Sequence, residues 1–357
     1  MSGGPTDGRA TSPLPVDSLG MWEATAGLPE QVAVAAGSAR DLGGLPPHDR
    51  IEHVVVLGMG GSGIAGDVLV AAAAPFMSVP VTLVKGYELP DFVDTATLVF
   101  ALSFSGDTEE VLEAATEAFE AGAAIVVVSG GGELVRLAGE WAVPVVAVPD
   151  GIPQPRAALG ALSVPPLVVL ERIGLFPGAT QWVTQAAEQL ARRRDRLVRP
   201  GSLAEDVARR IGRTIPLVHS SQALGAAAAL RWKTQVNENA KSPAFFNVYP
   251  ELCHNELAGW GQQGDVTRQV ITLVNLRHDA EHPQVTRRFD LVADVLREVM
   301  ADVVEVRAEG EGDLAQLLDL ALVGDFVSLH LAGHEGIDPG PVPVLDDLKS
   351  ALRPSGD

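Results

Sequence analysis

Val54-Val-Val-Leu-Gly-Met-Gly-Gly-Ser-Gly-Ile-Ala-Gly-Asp67 is the stretch on which the fold turns. The apolar run Val54–Leu57 predicts a buried strand, the glycines with Ser62 a tight loop, and Ile64-Ala65 with Val68–Ala74 a helix. A helix opening at such a loop points unpaired backbone N–H groups and the positive end of its dipole outward, which suits an anion. Gly58-Met-Gly60-Gly-Ser-Gly63 also satisfies the G-x-G-x-x-G dinucleotide pattern. A nicotinamide enzyme would want an acidic residue ending the second strand, to hold the ribose. Here that strand ends Val84-Lys85-Gly86-Tyr87-Glu88, with a lysine first, so the loop alone leaves the anion open.

Working outward, the 357 residues suit two domains, expected at 16–180 and 181–357 after a Gly/Ser/Pro/Thr-rich tail over 1–15 that reads as disordered. The net charge of −20 argues against nucleic acid and against an anionic membrane as partners. An anionic substrate would therefore need a local cationic pocket. The single cysteine, Cys253, excludes an intrachain disulfide and a multi-cysteine zinc site. Pro, Gly or charge interrupts every apolar run before it reaches spanning length, and the N-terminus carries no basic-then-apolar signal pattern. These readings predict a cytoplasmic enzyme.

Along the first half, Pro29 opens a helix, and strands are expected at 54–57, 79–84, 96–102, 123–129 and 144–148. Helices at 109–121 and 133–140 alternate with them, which predicts a parallel sheet covered on both faces. An apolar helix ends at Ile173, and 177–200 reads as a second, whose Arg192-Arg-Arg-Asp-Arg196 cluster suits a solvated face. The second half repeats this grammar. Strands are expected at 215–219, 269–276 and 303–307, helices at 226–238, 285–300 and 313–322, and Val327–Leu331 fits either a strand or a helix end.

A second loop changes the meaning of the first. Ser103-Phe-Ser105-Gly-Asp-Thr108 lies between a strand and an acidic helix start, so three hydroxyls and local N–H groups can converge on one phosphate. The simpler role for Ser105 or Thr108 is to cap the helix. Two such loops side by side at the carboxyl ends of parallel strands lie where ligands bind in these sheets.

The loop resembles that of sugar isomerase (SIS) domain proteins, in which Ser-x-Ser-Gly-x-Thr grips a sugar phosphate. Lys233-Thr-Gln-Val-Asn-Glu-Asn-Ala-Lys241, Pro250-Glu-Leu-Cys-His-Asn-Glu256, Pro155-Arg-Ala and the whole Gly58–Asp67 string narrow the resemblance to the bifunctional phosphoglucose/phosphomannose isomerases. The likeness spans nearly the whole chain after residue 20. It implies an α/β fold of two SIS-type, flavodoxin-like subdomains, each a parallel β-sheet flanked by helices. It also implies a hexose 6-phosphate substrate, with no cofactor and no metal.

An aldose–ketose isomerase needs a base to move a proton between adjacent carbons through an enediol(ate), a proton shuttle to open the ring, and a phosphate clamp. Glu238, flanked by Asn237 and Asn239, is the natural base, and His254 titrates near neutral pH and could open the ring. The resemblance implies that the partner subunit of a homodimer donates this histidine and that Lys349 assists ring opening. It further implies that Arg156 stabilises the enediolate, and that Gly60, Gly61, Ser62, Ser103, Ser105 and Thr108 hold the phosphate. Phe104, Asp107 and Cys253 depart from the family pattern, and Asp107 adds a negative charge beside the phosphate. Between Gly333 and Lys349 there is no Ser or Thr, where the family places a hydroxyl associated with the mannose epimer. Two other readings stay open at this level: a silent sugar-phosphate sensor, and a nicotinamide dehydrogenase that leaves Ser103–Thr108 unexplained.

Overall fold

A computed structural model of the chain describes residues 12–352. In the first half, α1 (Met21–Ala26) and α2 (Leu28–Ser38) precede β1 (His53–Leu57), α3 (Gly60–Ala72), β2 (Val81–Val84) and β3 (Thr97–Ser103). Then come α4 (Glu109–Glu120), β4 (Ala124–Ser129), α5 (Gly132–Trp141), β5 (Val145–Ala147), α6 (Leu159–Ile173) and α7 (Ala179–Leu197). The second half holds α8 (Leu203–Ile211), β6 (Ile215–Ser221), α9 (Leu224–Asn239), β7 (Phe245–Tyr249), α10 (Glu256–Gly259) and α11 (Gly264–Val270). It closes with β8 (Ile271–Arg277), α12 (Pro283–Leu296), β9 (Asp302–Arg307), α13 (Asp313–His334) and α14 (Pro343–Leu352).

The strands form two parallel sheets, ordered β2-β1-β3-β4-β5 and β7-β6-β8-β9. The second order repeats the first four places of the first, strand for strand. In each sheet the chain steps outward one way and then returns to build the other way. The switch points are β1/β3 and β6/β8, where loops diverge to leave a crevice. β3 is buried along its whole length, as expected of a central parallel strand covered on both faces. Its outer side chains pack with α4 and α5, and the outer face of the second sheet packs with α12. The inner faces of both sheets share one continuous core with α2, α3, α6, α7, α9 and α13.

α13 is the hub of that core. It spans 22 residues and packs on α7, α8 and α9. Gly324 lets it approach α9, since a Cβ there would lie 2.4 Å from the Trp232 ring, whose Nε1 donates to the Leu320 carbonyl at 2.8 Å. By length and composition this helix could cross a membrane, contrary to the expectation that no run is long enough. It is buried in the protein instead.

The expected strands and helices recur with small shifts. Gln269 and Val270 close α11 instead of opening β8, and Val327–Leu331 lies inside α13. β7 had no counterpart among the expected strands. Of the segment read as a tail, residues 1–11 lie outside the described residues, whereas Leu14 packs against the core. The Arg192–Arg196 face is not wholly solvated, because Arg193 is buried against Glu309 and Asp319.

Candidate active site

Two loops leave the carboxyl ends of the neighbouring strands β1 and β3. The first opens α3, and helix geometry leaves the amides of Gly60, Gly61 and Ser62 without carbonyl partners inside the helix. A Cβ on Gly61 would come within 2.9 Å of the Pro155 carbonyl and 3.0 Å of the Arg156 amide. Only glycine lets this loop lie against the segment that carries Arg156. In the second loop the Ser103 and Thr108 hydroxyls are 2.9 Å apart, and Ser103 Oγ accepts from the Gly106 amide at 3.0 Å. Gly106 sits at φ +78°, and a Cβ there would collide with the Gly131 carbonyl, so this turn is also closed to other residues.

The Phe104 amide donates to Ser62 Oγ at 3.2 Å, which ties the two loops into one unit. Ser62 and Ser103 are buried, while Ser105 is exposed and its Oγ accepts from the Asp107 amide at 3.2 Å. Thr108 stands at the N-cap of α4 but makes no side-chain cap, so the helix-capping alternative does not hold for it. The Asp107 carboxylate accepts from the Glu133 amide at 2.9 Å, at the start of α5.

Two of the candidates, Arg156 and Glu238, meet where α9 ends. Arg156 is only 3% exposed and reaches across from the first half of the chain. Its Nε donates to Asn239 Oδ1 at 2.7 Å, Nη1 to Glu238 Oε2 at 3.3 Å, and Nη2 to the carbonyls of Pro339 and Gly340 at 2.6 Å each. Burial holds the Arg156 guanidinium below its ordinary range, and the Glu238 carboxylate offsets part of that. Asn239 is fixed in turn by donating to Ser328 Oγ at 2.9 Å. Behind it, Arg231 makes a two-pronged ion pair with Asp325 at 2.9 and 2.7 Å and donates to the Arg156 carbonyl at 2.9 Å. Gln235 also donates to Asp325, so α9 and α13 are clasped by a polar network in which each charge has a partner.

Lys241 follows at φ +54°, a left-handed conformation that a lysine adopts at a cost. Its ammonium donates to the carbonyls of Glu238 and Pro339, and burial, followed by the Arg156 charge, pulls it below its usual range. Arg156 and Lys241 thus concentrate positive charge at one point of a strongly acidic chain. Sequence reasoning singled out neither Lys241 nor the Pro339 and Gly340 carbonyls. The lysine sat in plain view inside the quoted Asn-Glu-Asn-Ala-Lys string, but a backbone carbonyl leaves no trace in a sequence.

The structure brings Arg156 and Glu238 together, with Gly61 packed beside Arg156. It joins neither His254 nor Lys349 to them by a hydrogen bond or ion pair among the described residues. His254 is exposed at the end of a short 3-10 turn, Glu251–His254. That turn is held by Glu256, which accepts from His219 at 2.7 Å, Asn247 at 2.8 Å and Trp260 at 3.3 Å. Lys349 is exposed on α14, a helix with no buried residue and with Val344, Leu345, Leu348 and Leu352 open to solvent.

Comparison with known proteins agrees with this architecture. Residues 201–352 match the family described as the bacterial phospho-glucose isomerase C-terminal SIS domain. A bifunctional phosphoglucose/phosphomannose isomerase of Caldicellulosiruptor bescii is 33% identical over 336 residues, covering 93% of this chain and 98% of that protein. Its counterpart in Aquifex aeolicus is 34% identical over 305 residues, covering 84% of this chain and 90% of that protein. Among solved structures, a hypothetical protein of Thermus thermophilus superposes with a TM-score of 0.73 over 95% of this chain and 92% of its own, at 16% identity. That last likeness speaks for the fold alone.

Proposed function

The chain belongs to the bifunctional phosphoglucose/phosphomannose isomerases, and from that premise we propose that it interconverts glucose 6-phosphate and mannose 6-phosphate with fructose 6-phosphate. The observation that carries the reading is the Arg156–Glu238 pair, assembled from the two halves of the chain next to the tied glycine and serine loops. The substrate phosphate lies on the amides of Gly60, Gly61 and Ser62 and the hydroxyls of Ser103, Ser105 and Thr108. Glu238 takes the proton from one carbon and returns it to its neighbour. The negative charge that develops on the enediolate then meets a cation held by four fixed hydrogen bonds, which costs no reorganisation at the moment of reaction.

His254 works on the ring oxygen and the C1 hydroxyl, with Lys349 assisting. Both are exposed on a single chain, and the His254 side chain makes no hydrogen bond or ion pair among the described residues, which supports a complete site formed in a homodimer, with His254 supplied by the neighbouring subunit. The proton transfer asks for no metal. In this reading both carboxyl-end loops hold the substrate, and the second half of the chain supplies the reacting groups.

The test is a coupled assay of the purified protein on each aldose phosphate, with and without EDTA. Turnover of both, unaffected by EDTA, is the expected result. Finding turnover of neither aldose refutes the enzyme reading. Glu238→Gln is expected to lower kcat by about 10²–10⁴-fold while KM changes little, the signature of a lost acid–base group. Full turnover in that variant would exclude Glu238 as the base.

A further inference from the structure

Lys241 follows the Ala240 cap of α9 at φ +54°. A position just past a helix end at positive φ normally goes to glycine, which has no Cβ to crowd the backbone. The chain follows that habit after α4, where Gly122 sits at +82°, and after α6, where Gly174 sits at +94°. Among the described residues only Ala142, Ala223 and Lys241 take positive φ with a side chain, and of these Lys241 alone carries a charge. Lysine here retains strain that glycine would remove, and strain that persists beside a site points to a task for the side chain.

Its two acceptors show the task. The ammonium donates to the Glu238 carbonyl at the end of α9 and, at 3.2 Å, to the Pro339 carbonyl in the loop 335–342 that joins α13 to α14. Arg156 grips the same two residues, through the Glu238 carboxylate and the same Pro339 carbonyl. Arg156, Glu238, Lys241 and Pro339 therefore form a closed ring of contacts. On the loop side, one arginine nitrogen, Nη2, serves both the Pro339 and the Gly340 carbonyls. A single nitrogen shared by two carbonyls of one loop can follow that loop as it moves. Lys241 ties the loop to the helix that carries Glu238, which leaves the guanidinium one seat. The rest of the loop is held at Asp338, which accepts from the Ser18 amide at 3.3 Å, and at Gly340, where a Cβ would lie 2.7 Å from the Leu19 side chain. Lys241 is exposed, so its hydrogen bonds compete with water and add little to stability.

We propose that Lys241 is a positioning residue for the isomerisation: it fixes the loop 335–342 against the end of α9 and thereby holds the Arg156 guanidinium beside Glu238. The inference rests on the isomerase reading of this site and gives the lysine no contact with substrate.

Two variants remove the ammonium with opposite effects on the backbone. Lys241→Gly also releases the left-handed strain, whereas Lys241→Met keeps it, along with a stem of similar length. Both are expected to lower kcat about tenfold with KM within about twofold of the parent, because a reacting group slightly out of place loses rate before binding. The urea midpoint of Lys241→Gly is expected to lie at or above the parent's and above that of Lys241→Met. In both variants the buried Arg156 Nε–H, identified in NMR spectra by its loss in Arg156→Lys, is expected to exchange with solvent at least about tenfold faster. Unchanged kcat in both variants overturns the proposal, and so does a fall in Lys241→Gly that Lys241→Met does not share. An Arg156 Nε–H that exchanges at the parent's rate overturns it whatever the turnover. A Lys241→Gly protein less stable than both others overturns it too, since the lysine would then be a structural cap. A parent protein that turns over no hexose phosphate refutes the isomerase reading instead, and the exchange rates then decide whether Lys241 fastens Arg156.

Discussion

Arg156→Lys separates what the Arg156 charge does from what its shape does. Lysine keeps the positive charge but offers three donors from one point, whereas the guanidinium spans a fork. Arg156 serves four acceptors, Asn239 Oδ1, Glu238 Oε2 and the carbonyls of Pro339 and Gly340. A single ammonium cannot reach all four, and one or two of the buried acceptors lose their partner. At about 1–3 kcal/mol for each unsatisfied buried group, the variant should be about 2–4 kcal/mol less stable. With a urea slope of roughly 2 kcal/mol per molar, that moves the unfolding midpoint down by about 1–2 M. Turnover should fall further than stability suggests, by about 10²-fold in kcat, because the cation is displaced from the position where negative charge develops. The assay follows glucose 6-phosphate formed from fructose 6-phosphate through a coupling dehydrogenase, with urea melts on the same preparations. A variant that is destabilised as expected yet keeps kcat within about threefold, some 0.6 kcal/mol of barrier, would show that Arg156 fastens the chain and does not stabilise the reaction.

Gly61→Ala should cost at least about tenfold in kcat/KM, because its Cβ meets the backbone of Pro155 and Arg156. Gly37→Ala in α2 meets no neighbour and should be neutral or stabilising by up to about 1 kcal/mol, so equal effects from the two would contradict the packing argument. Mixing inactive Glu238→Gln with inactive His254→Ala under conditions of subunit exchange should restore activity, since one site of each hybrid dimer then holds an intact pair. No recovery in demonstrated hybrids would place both groups in one chain. Burial pushes Asp319 up to about 6 from an ordinary 3.8, outweighing Arg193. The folded state therefore holds a proton that the unfolded state releases, and stability falls as pH rises from about 4 to 6, by up to about 3 kcal/mol for this group. Relative to Asp319→Asn, the parent protein should lose that much over the interval in urea melts; a difference that stays constant with pH would show that Asp319 does not titrate there.

What could be read in advance followed from local physics. The Val54–Leu57 run and its glycines specify strand, loop and helix by composition alone, and the Ser103–Thr108 loop announces itself by three hydroxyls at one strand end. α13 escaped because it is buried on every side. A helix apolar all round has no 3.6-residue stripe, so its last third read as a separate element. β7 escaped because Phe245 and Phe246 are exposed at a sheet edge, right after Pro243, and show no inside–outside alternation. The Arg192–Arg196 cluster looked solvated because the acid that draws Arg193 inward, Glu309, lies 116 residues away. At the site, the residue types of Arg156 and Glu238 were visible. The grip of Pro339 and Gly340 on the arginine was not, because it depends on chain path and not on side chains.

That grip bears on the order in which the protein can become functional during synthesis. The acceptors of Arg156 stand 83 residues downstream, at Asn239, and as far as 184 residues downstream, at Gly340. A nascent chain that has folded its first sheet already possesses both loops proposed to hold the phosphate, yet its arginine lacks these acceptors. The cation acquires its position only when the stretch beyond α13 has left the ribosome and closed back over the first half. Binding can mature early, but turnover waits for one of the last segments made, so a prematurely terminated chain would compete for sugar phosphate without converting it.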